Sequence, residues 1–216
     1  MPDIFDELQE DLRAERARQF WLRYGGLLAG LALLVLLGVG GWQGWRWYEN
    51  RGAEAAGSAF MALHRSTERQ GADLADAARR FDAIAADAPV GYRTLSLFRA
   101  AALKDETGDK AGALADYDRI ANDRDADPLY RDLASLMWVL HGLDTTDPAA
   151  LAARITPLTV AGAPWRASAQ ELQALIAVRR GETAEARRVL QALVADTTAP
   201  RGVRDRAARL MAQLEG

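Results

Sequence analysis

The sequence predicts an all-α protein in which a single N-terminal transmembrane helix precedes a solenoid of paired helices. Two observations indicate this fold class. An uncharged run of 22 residues lies near the N-terminus, between Arg23 and Arg46. Beyond it, apolar residues recur at the i, i+3, i+4 spacing of helices, and no long stretch alternates apolar with polar residues as a half-buried strand does.

The uncharged run extends from Tyr24 to Trp45 and consists mainly of Leu, Val, Ala and Gly. At about 1.5 Å per residue, a helix of this length measures about 33 Å, enough to cross the roughly 30 Å hydrocarbon core of a bilayer. Aromatic residues, which favour the headgroup region, cluster at both ends of the run. A buried core helix or a secretory signal is the alternative, but the run exceeds the apolar part of a signal peptide.

The basic residues predict how the span is oriented. Four arginines precede it, whereas a comparable length after it holds three. Because Lys and Arg favour the cytoplasmic side, we predict that the N-terminus is inside. The predicted organisation is therefore a cytoplasmic amphipathic tail at 1–23, a transmembrane anchor at 24–46 and an external domain at 47–216.

The tail itself predicts a short amphipathic helix over residues 3–23. Its apolar residues Ile4, Phe5, Leu8 and Leu12 recur at helical spacing, and its acidic residues precede its arginines, as the helix dipole favours. Two interpretations stay open. The tail rests on membrane lipid before the chain turns into the bilayer, or it contacts a cytoplasmic partner.

After the span, a motif of one small residue, one large residue and one further apolar residue recurs. Its copies are Ala77-x3-Phe81-x2-Ile84, Ala113-x3-Tyr117-x2-Ile120 and Ala186-x3-Leu190-x2-Leu193. The first two copies begin 36 residues apart and the last begins 73 residues later, which leaves room for one degenerate copy between them. This pattern is typical of helix-turn-helix repeats of about 34 residues.

Turn signals such as Gly108-Asp109 and Gly181-Glu182 divide this part of the chain into helix pairs. We place the pairs at 50–69 with 73–87, 91–107 with 109–122, 129–142 with 148–156, and 166–180 with 183–195. A last helix at 200–214 would cap the stack, as a solenoid requires for solubility. Two prolines and a glycine between 157 and 164 predict that the third pair ends early, in a loop.

The composition excludes several classes of function. The chain lacks cysteine, so it has neither disulfides nor thiolate metal ligands. After Trp45 it carries 23 basic and 24 acidic side chains, without the basic stripe that nucleic acid requires. His64 and His141 lie in different repeats, and the series Asp123, Asp125, Asp127 lacks the glycine and closing Glu of a calcium loop. We therefore predict no catalytic residues, no metal, no cofactor and no enzymatic activity.

Three segments resemble a known family. They are Gly41-Trp42-Gln43-Gly44-Trp45-Arg46-Trp47-Tyr48 at the end of the span, Gly91-Tyr92 before Leu95 and Leu97, and Ala161-Gly162-Ala163-Pro164-Trp165 before Gly181-Glu182-Thr183-Ala184-Glu185-Ala186. With the tail, the span and the repeats in this order, nearly the whole chain resembles the YfgM-like proteins. These are bacterial ancillary subunits of the Sec translocon with degenerate tetratricopeptide repeats.

This resemblance implies a single-pass protein of the bacterial inner membrane with its C-terminal domain in the periplasm. It also implies association with Sec translocon subunits and a membrane-anchored periplasmic folding factor, in support of exported proteins. The alternative is an envelope adaptor for another assembly, such as cytochrome maturation or cell-wall synthesis. Both alternatives predict the same fold.

In repeats of this type the first helix of each pair lines the concave face. The helix register then predicts a partner groove that contains Leu95, Phe98, Arg131, Trp138, His141 and Glu171. For Phe98 and Trp138, burial in the core is an equally good interpretation.

A second predicted surface lies on the transmembrane helix. At about 100° per residue, five glycines share about 100° of one face: Gly26, Gly30, Gly40, Gly41 and Gly44. Small residues allow close backbone approach, which is how helices associate in lipid. We predict that this face packs against a span of the translocon, of the folding factor or of a second copy of the chain.

Overall fold

The structure, a computed structural model, describes residues 4–214. Within residues 4–50, the described side chains are those of residues 23, 24, 26, 30, 31 and 33–47. In this part of the chain there are nine α-helices, one short 3-10 helix and no strand, so the predicted all-α class is confirmed for the described residues.

The helices follow one another with short connections. They are α1 (Ile4–Thr67), α2 (Leu74–Asp87), α3 (Val90–Glu106), α4 (Lys110–Asn122), α5 (Pro128–Gly142), α6 (Pro148–Ile155), α7 (Arg166–Arg179), α8 (Thr183–Ala195) and α9 (Arg201–Gln213), with the 3-10 helix at Thr156–Thr159. The chain divides into two compact units, Met1–Gly52 and Ala53–Gly216.

In the first unit, the described residues belong to α1 and include many exposed apolar side chains. From Leu31 to Val39, the described large apolar residues are 55% to 69% exposed, and Trp42, Trp45 and Trp47 are exposed as well. The helix continues without a break from the tail into the apolar run, in place of the predicted turn. No proline lies between Pro2 and Pro89 to interrupt the backbone hydrogen bonds.

A search of the described residues finds no helix that is long and apolar enough to cross a membrane. The predicted anchor at 24–46 therefore gains no support from the structure. Some of its residues lie outside the described side chains: Gly25, Leu27, Leu28, Ala29 and Ala32. The side chains of the predicted amphipathic tail before Arg23 lie outside them too.

In the second unit the helices pack as successive pairs, which we call repeats 1 to 4. Residues 53–67 of α1 with α2 form repeat 1, α3 with α4 repeat 2, α5 with α6 repeat 3, and α7 with α8 repeat 4, and α9 follows. From α2 to α8, each helix packs against the next one. The first helices of neighbouring repeats also pack together, α3 with α5 and α5 with α7, and α7 packs against α9 as well. These bounds lie within a few residues of the predicted pairs.

Short polar signals start the second helix of each repeat. Asp73, Asp109 and Asp147 lie at the N-caps of α2, α4 and α6, where their carboxylates accept hydrogen bonds from otherwise unpaired backbone N–H groups. The turns before α4 and α8 contain Gly108 and Gly181 in the left-handed region, with φ of 88° and 76°. Glycine adopts this conformation at little cost, which is why Gly-Asp and Gly-Glu mark these turns in the sequence.

The repeated motif forms the core. Phe81, Tyr117 and Leu190 are at most 1% exposed, and the small residues four positions before them are buried as well. The structure also locates the degenerate copy in repeat 3 as Leu151-x3-Ile155, both residues at most 1% exposed. In this copy Leu151 stands where the other copies have alanine, so a search for the alanine of the motif does not find it.

A polar network joins three helices of the first two repeats. The Lys104 Nζ on α3 lies 2.8 Å from the Asp82 Oδ2 on α2 and 2.5 Å from the Asp116 Oδ2 on α4. Burial raises the pKa of the Asp116 carboxyl, although the hydrogen bond from Lys104 acts in the opposite direction. Each charge in this crowded interior thus has a partner of opposite sign.

Candidate partner-binding groove

Two neighbouring hollows open between α7, the first helix of repeat 4, and the helices packed against it. The first has a volume of about 300 Å³ and lies between α5, α7 and α9. Its lining is Leu136, Leu140, Ser168, Glu171, Leu172, Leu175 and Arg206. Leu140 is 43% exposed, so an apolar side chain already faces solvent at this place.

The second hollow, of about 230 Å³, lies between α7, α8 and α9. It is mainly apolar, and its lining is Ala174, Leu175, Val178, Leu190, Leu210, Gln213 and Leu214. Because Leu175 lines both hollows, we treat them together as one groove. Its concave, mainly apolar lining with few polar groups is the usual character of a binding site.

One ion pair supplies the charge within the groove. The guanidinium of Arg206 on α9 donates two hydrogen bonds to the Glu171 carboxylate on α7, Nε to Oε1 at 2.7 Å and Nη2 to Oε2 at 2.6 Å. The Glu171 side chain is nearly buried, whereas about half of the Arg206 side chain is exposed. The hydrogen bonds to Glu171 raise the pKa of Arg206, as expected for a cation in a charge-assisted pair.

The structure distributes the predicted groove residues over several environments. Glu171 lines the groove, as described above. Leu95 is 41% exposed on α3, one repeat away from the lining residues of α5. Phe98 is half-buried, and its ring lies 6.1 Å from that of Tyr117 and 6.4 Å from that of Tyr130. The half-buried Arg131 lies at the start of α5, outside the groove lining.

Trp138 and His141 are engaged in packing between helices. Trp138 packs against the apolar clusters on both sides of α5, with the Arg154 guanidinium 4.5 Å from its ring centroid. The His141 ring stacks on Tyr117 at 5.4 Å, and its Nδ1 lies 3.1 Å from the Asp105 Oδ2. These contacts connect repeat 3 to repeat 2 and leave little of either side chain for a partner.

The five glycines of the predicted membrane face are exposed, and a Cβ added at any of them would meet no described atom within 4 Å. No described atom thus crowds this face at Gly26, Gly30, Gly40, Gly41 or Gly44. The packing role of this face stays a prediction.

Among the described residues, no group of three or more His, Asp or Glu side chains could hold a metal ion. The most perturbed groups belong to the core and to ion pairs: burial raises the pKa of Tyr117 to about 12, with the charges of Asp105 and Asp116 adding to it. Such shifts occur in structural networks as well as in active sites. The groove itself offers contact surface and one ion pair.

Sequence reasoning missed Leu140, Leu172, Leu175 and Arg206. One signal could have found some of them: Leu140 and Leu175 are 35 residues apart, as are Glu171 and Arg206. Residues one repeat apart occupy equivalent positions on neighbouring first helices. An exposed apolar residue that recurs at this interval therefore indicates a surface to which neighbouring repeats both contribute.

Comparison with known proteins agrees with this geometry. The family model described as a tetratricopeptide repeat-like domain matches residues 18–209. The chain therefore belongs to the tetratricopeptide repeat-like domain family. No curated protein and no solved structure shows a significant match to the chain. The fold and the family thus define a helical-repeat protein of the kind that serves as a scaffold for protein–protein interaction.

Proposed function

We propose that the protein is a membrane-anchored, non-enzymatic scaffold of the YfgM-like type that associates with the Sec translocon. Its N-terminal segment would anchor it in the bacterial inner membrane, with the repeats in the periplasm. The repeats would then hold a membrane-anchored folding factor or an exported protein close to the translocon exit.

The observation that carries this proposal is the groove between α5, α7 and α9. A repeat domain that served only as a spacer would have no need of exposed apolar side chains such as Leu140 and Val178 beside a concave surface. Leu140, Leu175 and Val178 instead offer apolar contact area to a partner. Apolar side chains at the centre of an interface, bordered by a fixed ion pair, are typical of binding surfaces.

The membrane part of the proposal rests on the 22-residue uncharged run and the aromatic residues at its ends. Two of these aromatic rings make cation–π contacts with arginines. The Arg46 Cζ lies 4.7 Å from the Trp42 ring centroid, and the Arg51 Cζ lies 4.0 Å from the Trp47 ring centroid. Tryptophan beside arginine suits the boundary between acyl chains and headgroups. The location of the translocon in the same membrane makes an anchor useful.

A site-specific crosslinking experiment tests the proposal. A photoreactive amino acid at Leu140, in the groove, should crosslink to a translocon subunit or to a folding factor bound to it in intact cells. The matched control is the same amino acid at Arg79, an exposed residue on α2 outside the groove. Crosslinks from Arg79 alone, or from Leu140 to proteins of cytochrome maturation or cell-wall synthesis, would contradict the proposal.

A further inference from the structure

An aromatic residue followed by arginine recurs at the start of the first helix in repeats 2, 3 and 4. The three pairs are Tyr92-Arg93, Tyr130-Arg131 and Trp165-Arg166. They are 38 and 35 residues apart, which places them one repeat from each other. Each pair therefore lies at or near the N-terminus of its helix, Tyr92 and Tyr130 as third residues and Trp165 as the N-cap, so the contacts of the three pairs can be compared.

The aromatic members reach back to the previous first helix. Tyr92 lies against Gly57, where an added Cβ would come within 2.5 Å of the tyrosine hydroxyl oxygen. Tyr130 packs near Phe98 of α3. The Trp165 indole N–H donates a 3.1 Å hydrogen bond to the carbonyl oxygen of Leu129 on α5. These residues connect consecutive repeats.

The arginine members reach forward to an acidic residue at the end of their own repeat. In repeat 2, the Arg93 Nη2 lies 2.9 Å from the Asp123 Oδ2. In repeat 4, Arg166 forms the same ion pair with Asp196 and also donates a hydrogen bond to Thr198. Each acid follows the large core residue of its repeat by six positions, Asp123 after Tyr117 and Asp196 after Leu190.

Repeat 3 lacks this acid. Six positions after its core residue Ile155 the chain has Ala161. Arg131 accordingly makes no ion pair with any residue that the structure describes, although it is half-buried. The Asp127 carboxylate, four residues before it, instead accepts the N-cap hydrogen bond from the Leu129 N–H. Arg131 is thus a partly desolvated cation without the partner that its two equivalents have.

Exposed apolar side chains belong to the same part of repeat 3. Leu129 and Tyr130, which precede Arg131, are both 42% exposed, and Val160, beside the alanine, is 57% exposed. The hydrogen bond from Trp165 to Leu129 holds the end of the 160–165 loop against the start of α5. Aromatic and apolar contacts around an arginine are characteristic of the energetic centre of an interface.

We propose that Arg131 binds a carboxylate side chain of a protein partner, in a segment that has apolar residues next to that acid. The partner's carboxylate would take the place that Asp123 and Asp196 occupy in repeats 2 and 4. Arginine favours this ligand because its planar guanidinium donates paired hydrogen bonds to a carboxylate. The site lies outside the groove lining, so it goes beyond the proposed function and does not depend on it.

A binding experiment with the purified full-length chain in mild detergent tests this site. The probes are two short fluorescent peptides with Leu and Phe around a central residue, Glu in one and Gln in the other. We expect the Glu peptide to bind at least about tenfold more tightly. Arg131→Gln should remove this preference, whereas the control Arg93→Gln, which changes an arginine already paired with Asp123, should retain it.

A second variant keeps Arg131 and tests the vacant position itself. Ala161→Asp restores the acid of the other repeats, so it should pair with Arg131, raise the thermal midpoint and remove the preference for the Glu peptide. Equal binding of the two peptides to the parent chain, or no binding, would overturn the proposal. So would a Glu preference that survives both variants, or displacement of the Glu peptide by inorganic phosphate, which would indicate a site for small anions.

Discussion

Arg206 on the last helix and Glu171 on α7, 35 residues before it, form a bidentate ion pair with hydrogen bonds of 2.7 and 2.6 Å. The pair links α9 to α7, the first helix of repeat 4, across the groove. The Arg179 guanidinium makes comparable contacts one repeat earlier, where it donates hydrogen bonds to the backbone carbonyl oxygens of Leu143 and Thr146. Contacts at the repeat interval thus hold successive first helices in register and shape the surface between them.

The core motif predicts large losses on truncation. Phe81→Ala and Tyr117→Ala each remove an aromatic ring that is at most 1% exposed, so each should lower the free energy of unfolding by about 3–5 kcal/mol. Urea denaturation followed by circular dichroism measures this loss. Tyr24→Ala, in the first unit, is the matched exposed control. A Phe81→Ala variant that unfolds like the parent would refute the repeat register.

The Arg166–Asp196 pair predicts an acid-dependent contribution to stability. Hydrogen bonds from Thr198 and Arg166 lower the pKa of Asp196 to about 2. An unfolded aspartate titrates near about 3.9, so this carboxylate stabilises the fold above about pH 4 and loses that effect as the pH falls towards about 2. The stability difference between the parent and Asp196→Asn should therefore shrink over this range.

Denaturation at a series of pH values measures this difference. Asp144→Asn, at an exposed residue of another loop, serves as the control. If the difference between the parent and Asp196→Asn stays constant from about pH 5 to about pH 2, the ion pair does not contribute as described.

The groove predicts a separation between folding and binding. Leu140→Ser combined with Leu175→Ser should weaken partner capture severalfold, because it removes apolar contact area from the lining of the groove. Met61→Ser changes an exposed apolar residue on α1, outside the groove and outside the surface around Arg131, and should leave capture unchanged. Unaltered capture by the double variant, with its fold intact by circular dichroism, would place the binding surface elsewhere.

The glycine face predicts an effect on membrane association. Gly26→Ile with Gly30→Ile adds apolar surface where the structure leaves open space, so the fold of the repeats should not change. In lipid, the bulky side chains should prevent close approach of a second helix and loosen the complex in mild detergent. Blue native electrophoresis would show this as a smaller complex. A complex of unchanged size would indicate that the segment only anchors the chain and does not pack against a partner helix.

Sequence patterns predicted much of the second unit because its signals are local. Asp109 as a cap, Gly108 in its turn and Tyr117 in the core each follow from the chemistry of a short segment. The structure places the predicted groove residues in several environments, because the exposure of a side chain depends on the neighbouring repeats. Periodicity places Trp138 on a helix, but only the arrangement of α4, α5 and α6 shows that it packs between them.

The proposed membrane topology rests on the sequence alone, and single cysteines can test it because the chain has none. A cysteine at the exposed Ser58 should react with an impermeant thiol reagent in intact spheroplasts, and one at Gln9 should not. The side chain of Gln9 lies outside the described residues, so this prediction rests on charge distribution. The reverse labelling pattern would contradict an N-terminus inside the cell.

The most direct test of the proposed function is affinity purification of the full-length chain from detergent-solubilised inner membranes, followed by identification of what accompanies it. We predict that translocon subunits are recovered with the parent chain, and that the double variant Leu140→Ser, Leu175→Ser recovers much less of the folding factor or exported protein. Recovery of cytochrome-maturation or cell-wall assembly proteins without the translocon would contradict the account.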